Sequence, residues 1–215
     1  MKLIKKTLLI AAILVAVSSG LFAQGVISVN LISFSGEQFG TINKARFSGV
    51  VRDASWENCC LGNKQGIFVF ENVDNSPMTV TVHTTANYGS SPEWNGWANR
   101  NGASASVSTD AVVLLNNIPY EKYYIIVYLG GFNPEWKAAI SDGTTVKYAN
   151  FMGVIARPAL EECESTNKAD FASGSYVVFG SKTSPLYSAE RTLSLKWFGG
   201  NPTLGGFQII EIAAQ

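Results

Sequence analysis

The chain has a single histidine, three cysteines and only 15% charged residues. One histidine without a nucleophile-elbow pattern argues against a Ser-His-Asp catalytic triad, and these few cysteines do not have the spacing of zinc ligands. The 16 basic residues balance the 16 acidic ones and no basic segment follows the N-terminus, which excludes the usual profile of a nucleic-acid-binding protein. Beyond the N-terminal segment, no apolar run has the length of a membrane span.

The N-terminus has the order of a secretory signal peptide. Lys2, Lys5 and Lys6 form a positively charged start, and the apolar run Leu8–Val17 leads through small residues to Ala23. We therefore expect residues 1–23 to be a signal peptide and residues 24–215 to form one β-sandwich domain. The mature protein is then secreted or periplasmic, with no transmembrane segment after the signal peptide.

Most apolar runs that follow are short, rich in Val, Ile, Tyr and Phe, and bounded by Gly, Asn, Asp or Pro, which is typical of strands. Met78–Thr85 alternates between apolar and polar residues, which predicts one buried face and places His83 on the exposed one. Tyr123–Leu129 has no polar face, so we expect a central strand covered on both sides. Ala45–Arg52 is predicted to be a further strand. About ten such strands predict an all-β fold, a two-sheet antiparallel β-sandwich of jelly-roll type.

The order of several segments resembles a group of mostly uncharacterised secreted bacterial proteins. Chains of that group open with a V-N-F-like strand, carry a G-V-V-x-x-x-x-W-x-N segment and close with an N-G-I-Q-I-V-like strand. The matching segments here are Ile27–Asn30, Gly49–Asn58, Leu114–Pro119 with Tyr123–Gly131, and Ser175–Phe179 with Gly205–Ile210. The resemblance implies a jelly-roll sandwich similar to galactose-binding-like domains, and it carries over no catalytic residue.

Residues 88–101 have the composition that sugar recognition by a β-sandwich requires. Aromatic rings stack on the C–H face of a pyranose, while amides and arginine beside them bond its hydroxyl groups. Two tryptophans in a polar, glycine-rich loop favour recognition; the alternative is that both indoles pack under the loop. The candidate ligand-binding residues are Tyr88, Trp94, Asn95, Trp97, Asn99 and Arg100.

A second aromatic loop follows Gly130 and ends at Trp136. Trp136 is a further candidate ligand-binding residue, and in a jelly roll we expect this loop near the first one. The alternative is that Trp136 starts the next strand and packs inward. Two more tryptophans, Trp56 and Trp197, are predicted to be core residues.

The cysteines leave several states open in an oxidising compartment. Cys59 or Cys60 can pair with Cys163 and close a loop of about 100 residues, which stabilises by a few kcal/mol in the chain-entropy model. The remaining thiol is then free or intermolecular. A strained bridge between Cys59 and Cys60 is a second state that the sequence permits, and three reduced thiols are a third.

Carboxylates raise two more hypotheses. A glycoside hydrolase needs two of them at no fixed sequence spacing, and solvated surface carboxylates are the simpler interpretation. A structural calcium ion needs several oxygen ligands, and no EF-hand spacing is present. The candidate acids are Glu93, Glu135, Asp142 and Glu161, and the candidate calcium ligands are Glu161, Glu162, Glu164 and Asp170.

Together these patterns predict a secreted, non-catalytic binding module whose ligand is a polysaccharide or a cell-surface glycan. No cofactor is implied apart from the calcium ion. A structural or adhesive matrix protein is the first alternative, in which the spare cysteine crosslinks copies. A glycan-active hydrolase or lyase is the second. The sequence leaves the oligomeric state open.

Overall fold

The computed structural model describes residues 25–32, 42, 47–61, 65–86, 103–104, 110–130, 136–150, 160–200 and 202–213. In this part of the chain every extended regular element is a strand, and the only helical element is a 3-10 turn at Val73–Asn75. No helix long and apolar enough to cross a bilayer occurs within these residues. The strands are β1 (Val26–Ile32), β2 (Glu57–Cys60), β3 (Gln65–Phe70), β4 (Thr79–Ala86), β5 (Ala103–Ser104), β6 (Ala111–Asn116), β7 (Tyr123–Gly130), β8 (Lys137–Ser141), β9 (Val146–Asn150), β10 (Ala172–Ser173), β11 (Tyr176–Phe179), β12 (Arg191–Gly199) and β13 (Thr203–Glu211).

Two sheets are formed by these strands. The first has the order β10-β9-β8-β12-β6-β4-β3, and the second has the order β11-β7-β13-β1-β2. The short strand β5 pairs with both β4 and β13 and so joins the two sheets along one edge. All pairs are antiparallel except β1 with β2 and β9 with β10.

The hydrophobic core lies between the two sheets. Because side chains alternate along a strand, every second residue points inward. In β4, for example, Val80 and Val82 are fully buried while Thr81 and His83 are partly exposed. The all-β sandwich predicted from the sequence is confirmed, and its jelly-roll type stays a prediction. The inward-facing residues of the central strands are Ala111, Val113, Leu115, Leu193 and Leu195 in the first sheet, with Ile125, Val127, Leu129, Phe207 and Ile209 in the second.

The strand predicted over Ala45–Arg52 is corrected by the structure. Residues 49–52 form a turn and not a strand, because Gly49 has a φ of +92° and Ser48 and Asp53 exchange backbone hydrogen bonds of 2.9 and 3.0 Å across it. The strand in this region begins later, at Glu57. The apolar residues around Val50, which suggested a strand, therefore lie in a turn.

The second sheet is also covered on its outer face. Residues 47–56, which we call the cover segment, lie over β7 and β13, and Trp56 packs with Ile126, Tyr128 and Ile210 in a second buried cluster. The Trp56 and Tyr128 rings are 5.7 Å apart between centroids. The predictions that Trp56 is a core residue and that the strand after Lys122 is covered on both faces are confirmed.

A buried amide fixes the cover segment to the sheet. Gln208 Oε1 accepts hydrogen bonds from Tyr128 Oη (2.5 Å) and from the backbone N–H of Val51 (3.3 Å). Gln208 Nε2 donates to the Val51 carbonyl (2.7 Å) and to Ser28 Oγ (3.0 Å). Ser28 Oγ in turn donates to Asp53 (2.6 Å). The amide therefore uses both its donors and both its acceptor positions on protein groups.

Further contacts close the cover segment over the sheet. The Val50 N–H donates to Tyr128 Oη (2.6 Å), and Trp56 Nε1 donates to the carbonyl of Ser48 (3.2 Å). A Cβ atom at Gly49 would lie 2.8 Å from the Trp56 ring, so this turn has room only for glycine. We call the hydrogen bonds that centre on Gln208 and Tyr128 the outer polar network.

Replacing Tyr128 with Phe tests the outer polar network. The change removes one hydroxyl, which leaves the buried Gln208 amide without one donor and the Val50 N–H without its acceptor. Unsatisfied buried groups cost about 1–3 kcal/mol, and we expect urea unfolding to show a loss of stability of that size. Tyr124→Phe is the matched control on the same strand, with a change within about 0.5 kcal/mol. Equal unfolding midpoints for the two variants would contradict this role of the hydroxyl.

Candidate functional site

Most of the sugar-binding residues predicted from the sequence lie outside the described residues. Of the candidates, only Trp136 is described. The two acidic candidates Glu93 and Glu135 also lie outside. The undescribed candidates for ligand binding are Tyr88, Trp94, Asn95, Trp97, Asn99 and Arg100.

The strands that flank the two aromatic segments are linked by one row of paired residues that runs across the sheets. Thr85 pairs with Ser104, Ser104 with Thr203, and Thr203 with Gly130. Neighbouring strands are about 4.8 Å apart, so this row spans about 15 Å. The chain leaves the described part at Ala86 and at Gly130, at the same end of the sandwich. We call this end the loop end.

Trp136 lies at the loop end, directly before β8, and is half-buried against the core. Gly200, with a φ of +74°, passes so close to the indole that a Cβ atom there would lie 1.8 Å from Trp136 Cδ1. The carbonyl of Gly200 also accepts a hydrogen bond of 2.6 Å from Trp197 Nε1. Trp197, predicted to be a core residue, is half-buried as well. Trp136 is thus held by backbone and core contacts with part of its surface open.

Asp142 is the buried carboxylate among the described candidate acids, at 2% exposure. It follows β8 and accepts hydrogen bonds from the backbone N–H groups of Thr144 (3.0 Å) and Thr145 (2.7 Å). Its other oxygen lies 3.5 Å from Arg191 Nη1. The carboxylate therefore holds the β8–β9 turn and faces a guanidinium, whereas Glu161, the other described candidate acid, is exposed.

The four carboxylates proposed as calcium ligands do not form a metal site. Among the described residues no group of three or more Asp, Glu, His or Cys side chains is arranged to hold a metal ion. Glu162 lies beside β11, where burial and then the nearby Glu164 raise the pKa of its carboxyl. The geometry of this acidic stretch gives the calcium hypothesis no support.

All three cysteines are free thiols. Cys59 and Cys60 are adjacent in β2, so their side chains point to opposite faces, Cys59 inward and Cys60 outward. Cys163 is buried, and its Sγ lies 3.2 Å from the carbonyl oxygens of Tyr148 and Ala172. The structure thus contains neither the bridge to Cys163 nor a bridge between the adjacent cysteines, and the redox state of the three thiols stays a prediction.

The accessible thiol is Cys60, and its reactivity should depend on pH. Burial raises the pKa of the Cys60 thiol above its usual value, and burial raises that of Cys59 much further. Because the thiolate is the reactive form, we expect Ellman's reagent to modify one thiol of the folded protein. The rate should rise with pH as the thiolate fraction grows, and the rise should continue to a higher pH than for an ordinary exposed thiol.

The Cys60→Ser variant is the control for this measurement and should lose the fast reaction. Cys59 and Cys163 should then react only after unfolding in urea. Two thiols that react equally fast in the folded protein would contradict the placement of these side chains.

A polar pocket of about 330 Å³ lies at the end of the sandwich opposite the loop end. It is formed where the β8–β9 turn meets the start of β12, so the five residues of β8, about 17 Å, separate it from Trp136. Its walls carry Asp142, Thr144, Ser188, Glu190, Arg191 and Thr192. The sequence singled out Asp142 as a candidate acid but did not predict this pocket, since Asp142 and Arg191 are far apart in the chain and neither belongs to a motif.

Comparison of the chain with family models, curated proteins and solved structures gives no match. The resemblance to secreted bacterial proteins therefore stays a prediction, carried by the segments quoted above. Two of these segments, Gly49–Asn58 and Gly205–Ile210, meet in the outer polar network. Their described contacts hold the fold together.

Proposed function

We propose that the protein is an exported, non-catalytic module that binds a polysaccharide or a cell-surface glycan at the loop end. The observation that carries the proposal is the row of paired residues from Thr85 to Gly130. The strand residues that flank the two aromatic segments, residues 87–102 and 131–135, therefore lie within about 15 Å of each other. One glycan chain is long enough to contact both.

The chemistry of these segments suits sugars. Indole rings such as those of Trp94 and Trp97 offer flat apolar surfaces to the C–H face of a pyranose, and the neighbouring asparagines and Arg100 offer donors and acceptors for hydroxyl groups. A rigid sandwich is a suitable support, because binding residues are commonly carried on connections between fixed strands. Part of the Trp136 surface adds to the same end.

The described candidate acids bear on the hydrolase alternative. A glycoside hydrolase needs one acid to donate a proton and a second carboxylate across the bond. Asp142 is engaged by two N–H groups and by Arg191, at the end opposite the aromatic segments. His83 lies on the outer face of the first sheet, beside Thr81. The hydrolase or lyase alternative therefore has no support from these residues.

Export is supported by the N-terminal charge and hydropathy pattern and by the position of the first strand. Gly25 already belongs to the fold, because its N–H donates to Glu211 (3.1 Å) and its carbonyl accepts from the Glu211 N–H (2.8 Å). β1 begins at Val26. Cleavage after Ala23 would leave these contacts intact.

The experiment uses the protein exported by a bacterial host. We expect mass spectrometry to find Gln24 as its first residue, and a glycan array with cellulose, chitin and mannan pull-downs to identify a bound glycan. Trp94→Ala/Trp97→Ala should weaken that binding at least about tenfold, because stacking contacts of two rings are lost. Tyr187→Ala is the control, an exposed aromatic side chain outside the loop end.

Absence of glycan binding by the parent protein, or equal binding by the double variant, would overturn the site.

The structural or adhesive alternative is favoured by one observation, the exposed Cys60 thiol. A dimer band on a non-reducing gel that disappears in Cys60→Ser would support that alternative.

A further inference from the structure

We propose that the pocket between the β8–β9 turn and the start of β12 is a second binding site, for a neutral ligand with adjacent hydroxyl groups, such as one sugar unit. The site lies at the end opposite Trp136. It is independent of the aromatic segments at the loop end and would stand if they bound nothing.

The floor of this pocket is rigid. Asp142 is 2% exposed, and one of its oxygens is fixed by the backbone N–H groups of Thr144 and Thr145. Ser188 is fixed as well, since its carbonyl accepts a hydrogen bond of 2.5 Å from the buried Tyr123 hydroxyl. The pocket therefore needs little reorganisation to receive a ligand, which favours affinity.

Arg191 has more N–H donors than its contact with Asp142 uses. A guanidinium carries five N–H donors, yet its contact with Asp142 is 3.5 Å, longer than the 2.7–2.9 Å of a strong charge-assisted hydrogen bond. Its buried Nε has no hydrogen-bond partner among the described residues. That Nε is closed to a ligand, but the side chain is 13% exposed and lines the pocket, so its accessible part can meet a ligand there. A ligand oxygen at this accessible part of the guanidinium would gain a charged donor.

The charges around the pocket select a neutral ligand. Glu190 and Asp142 together outweigh the single positive charge of Arg191, which disfavours an anion. The carboxylate of Glu190 accepts hydrogen bonds, Arg191 donates them, and the hydroxyls of Thr144 and Thr192 do both. Adjacent hydroxyl groups on one ring match this mixture, because each hydroxyl can donate to an acid and accept from the guanidinium.

The size and lining of the pocket also fit one sugar unit. A volume of about 330 Å³ is at the small end of ligand sites, which span about 300–1,000 Å³. Its described walls carry no aromatic ring, so recognition here depends on hydrogen bonds. The two ends of the sandwich thus use different chemistry, stacking at the loop end and polar contacts in this pocket.

The test is an NMR titration of the exported protein with glucose, galactose and mannose, and with glucuronate and galacturonate as charged counterparts. We expect at least one neutral sugar to shift the resonances of Gly143 and Thr192, with a dissociation constant on the order of 1 mM, because an open pocket leaves much of the ligand solvated. The corresponding uronate should bind several-fold more weakly.

Variants separate this site from the loop end. Glu190→Gln changes an exposed side chain, so folding is preserved, and it should weaken binding of the neutral sugar about tenfold, through loss of a charged acceptor. Arg191→Lys keeps the positive charge beside Asp142 and should weaken binding similarly, through loss of guanidinium donors. Trp94→Ala/Trp97→Ala should leave the titration unchanged. The proposal is overturned by tighter binding of the uronate, by unchanged binding in Glu190→Gln, or by no shift at sugar concentrations far above about 1 mM.

Discussion

The buried amide of Gln208 is the contact on which the second sheet depends. It lies on the outer face of β13, where a polar group is costly unless all its hydrogen bonds are made. Tyr128, Ser28 and both backbone groups of Val51 satisfy it. The two bonds to Val51 are possible only with the cover segment in place, so the amide and the cover segment stabilise each other.

The molecule therefore has three layers, which are the first sheet, the second sheet and the cover segment on the outer face of the second sheet. β7 and β13 are buried on both faces as a result, and their pairing carries Gly130 and Thr203 to the loop end at fixed positions. β12 connects the two ends of the molecule. It begins at Arg191 in the polar pocket and leads to Gly200, which packs on Trp136.

Local pattern predicted the strands whose two faces differ, such as β4, and the fully apolar β7. The features that the sequence did not predict depend on long-range contacts. Val50 and Val51 suggested a strand, but their hydrogen bonds go to Tyr128 and Gln208, the latter a separation of 157 residues for Val51, which no window of sequence reveals. The pairing of Asp142 with Arg191 could not be predicted from the sequence either, since two common charged residues at arbitrary spacing form no motif. The aromatic segments were predicted from composition alone, and the structure adds only that the described residues before two of them, Ala86 and Gly130, lie at one end of the sandwich.

Amide hydrogen exchange at Val50 and Val51 tests the central role of the outer polar network most directly. Both N–H groups lie in a turn at the protein surface, where amides without such partners exchange rapidly. The account predicts protection comparable to that of the β13 amides, because the acceptors of these two groups are buried side chains. Rapid exchange at both positions in an otherwise protected second sheet would contradict it.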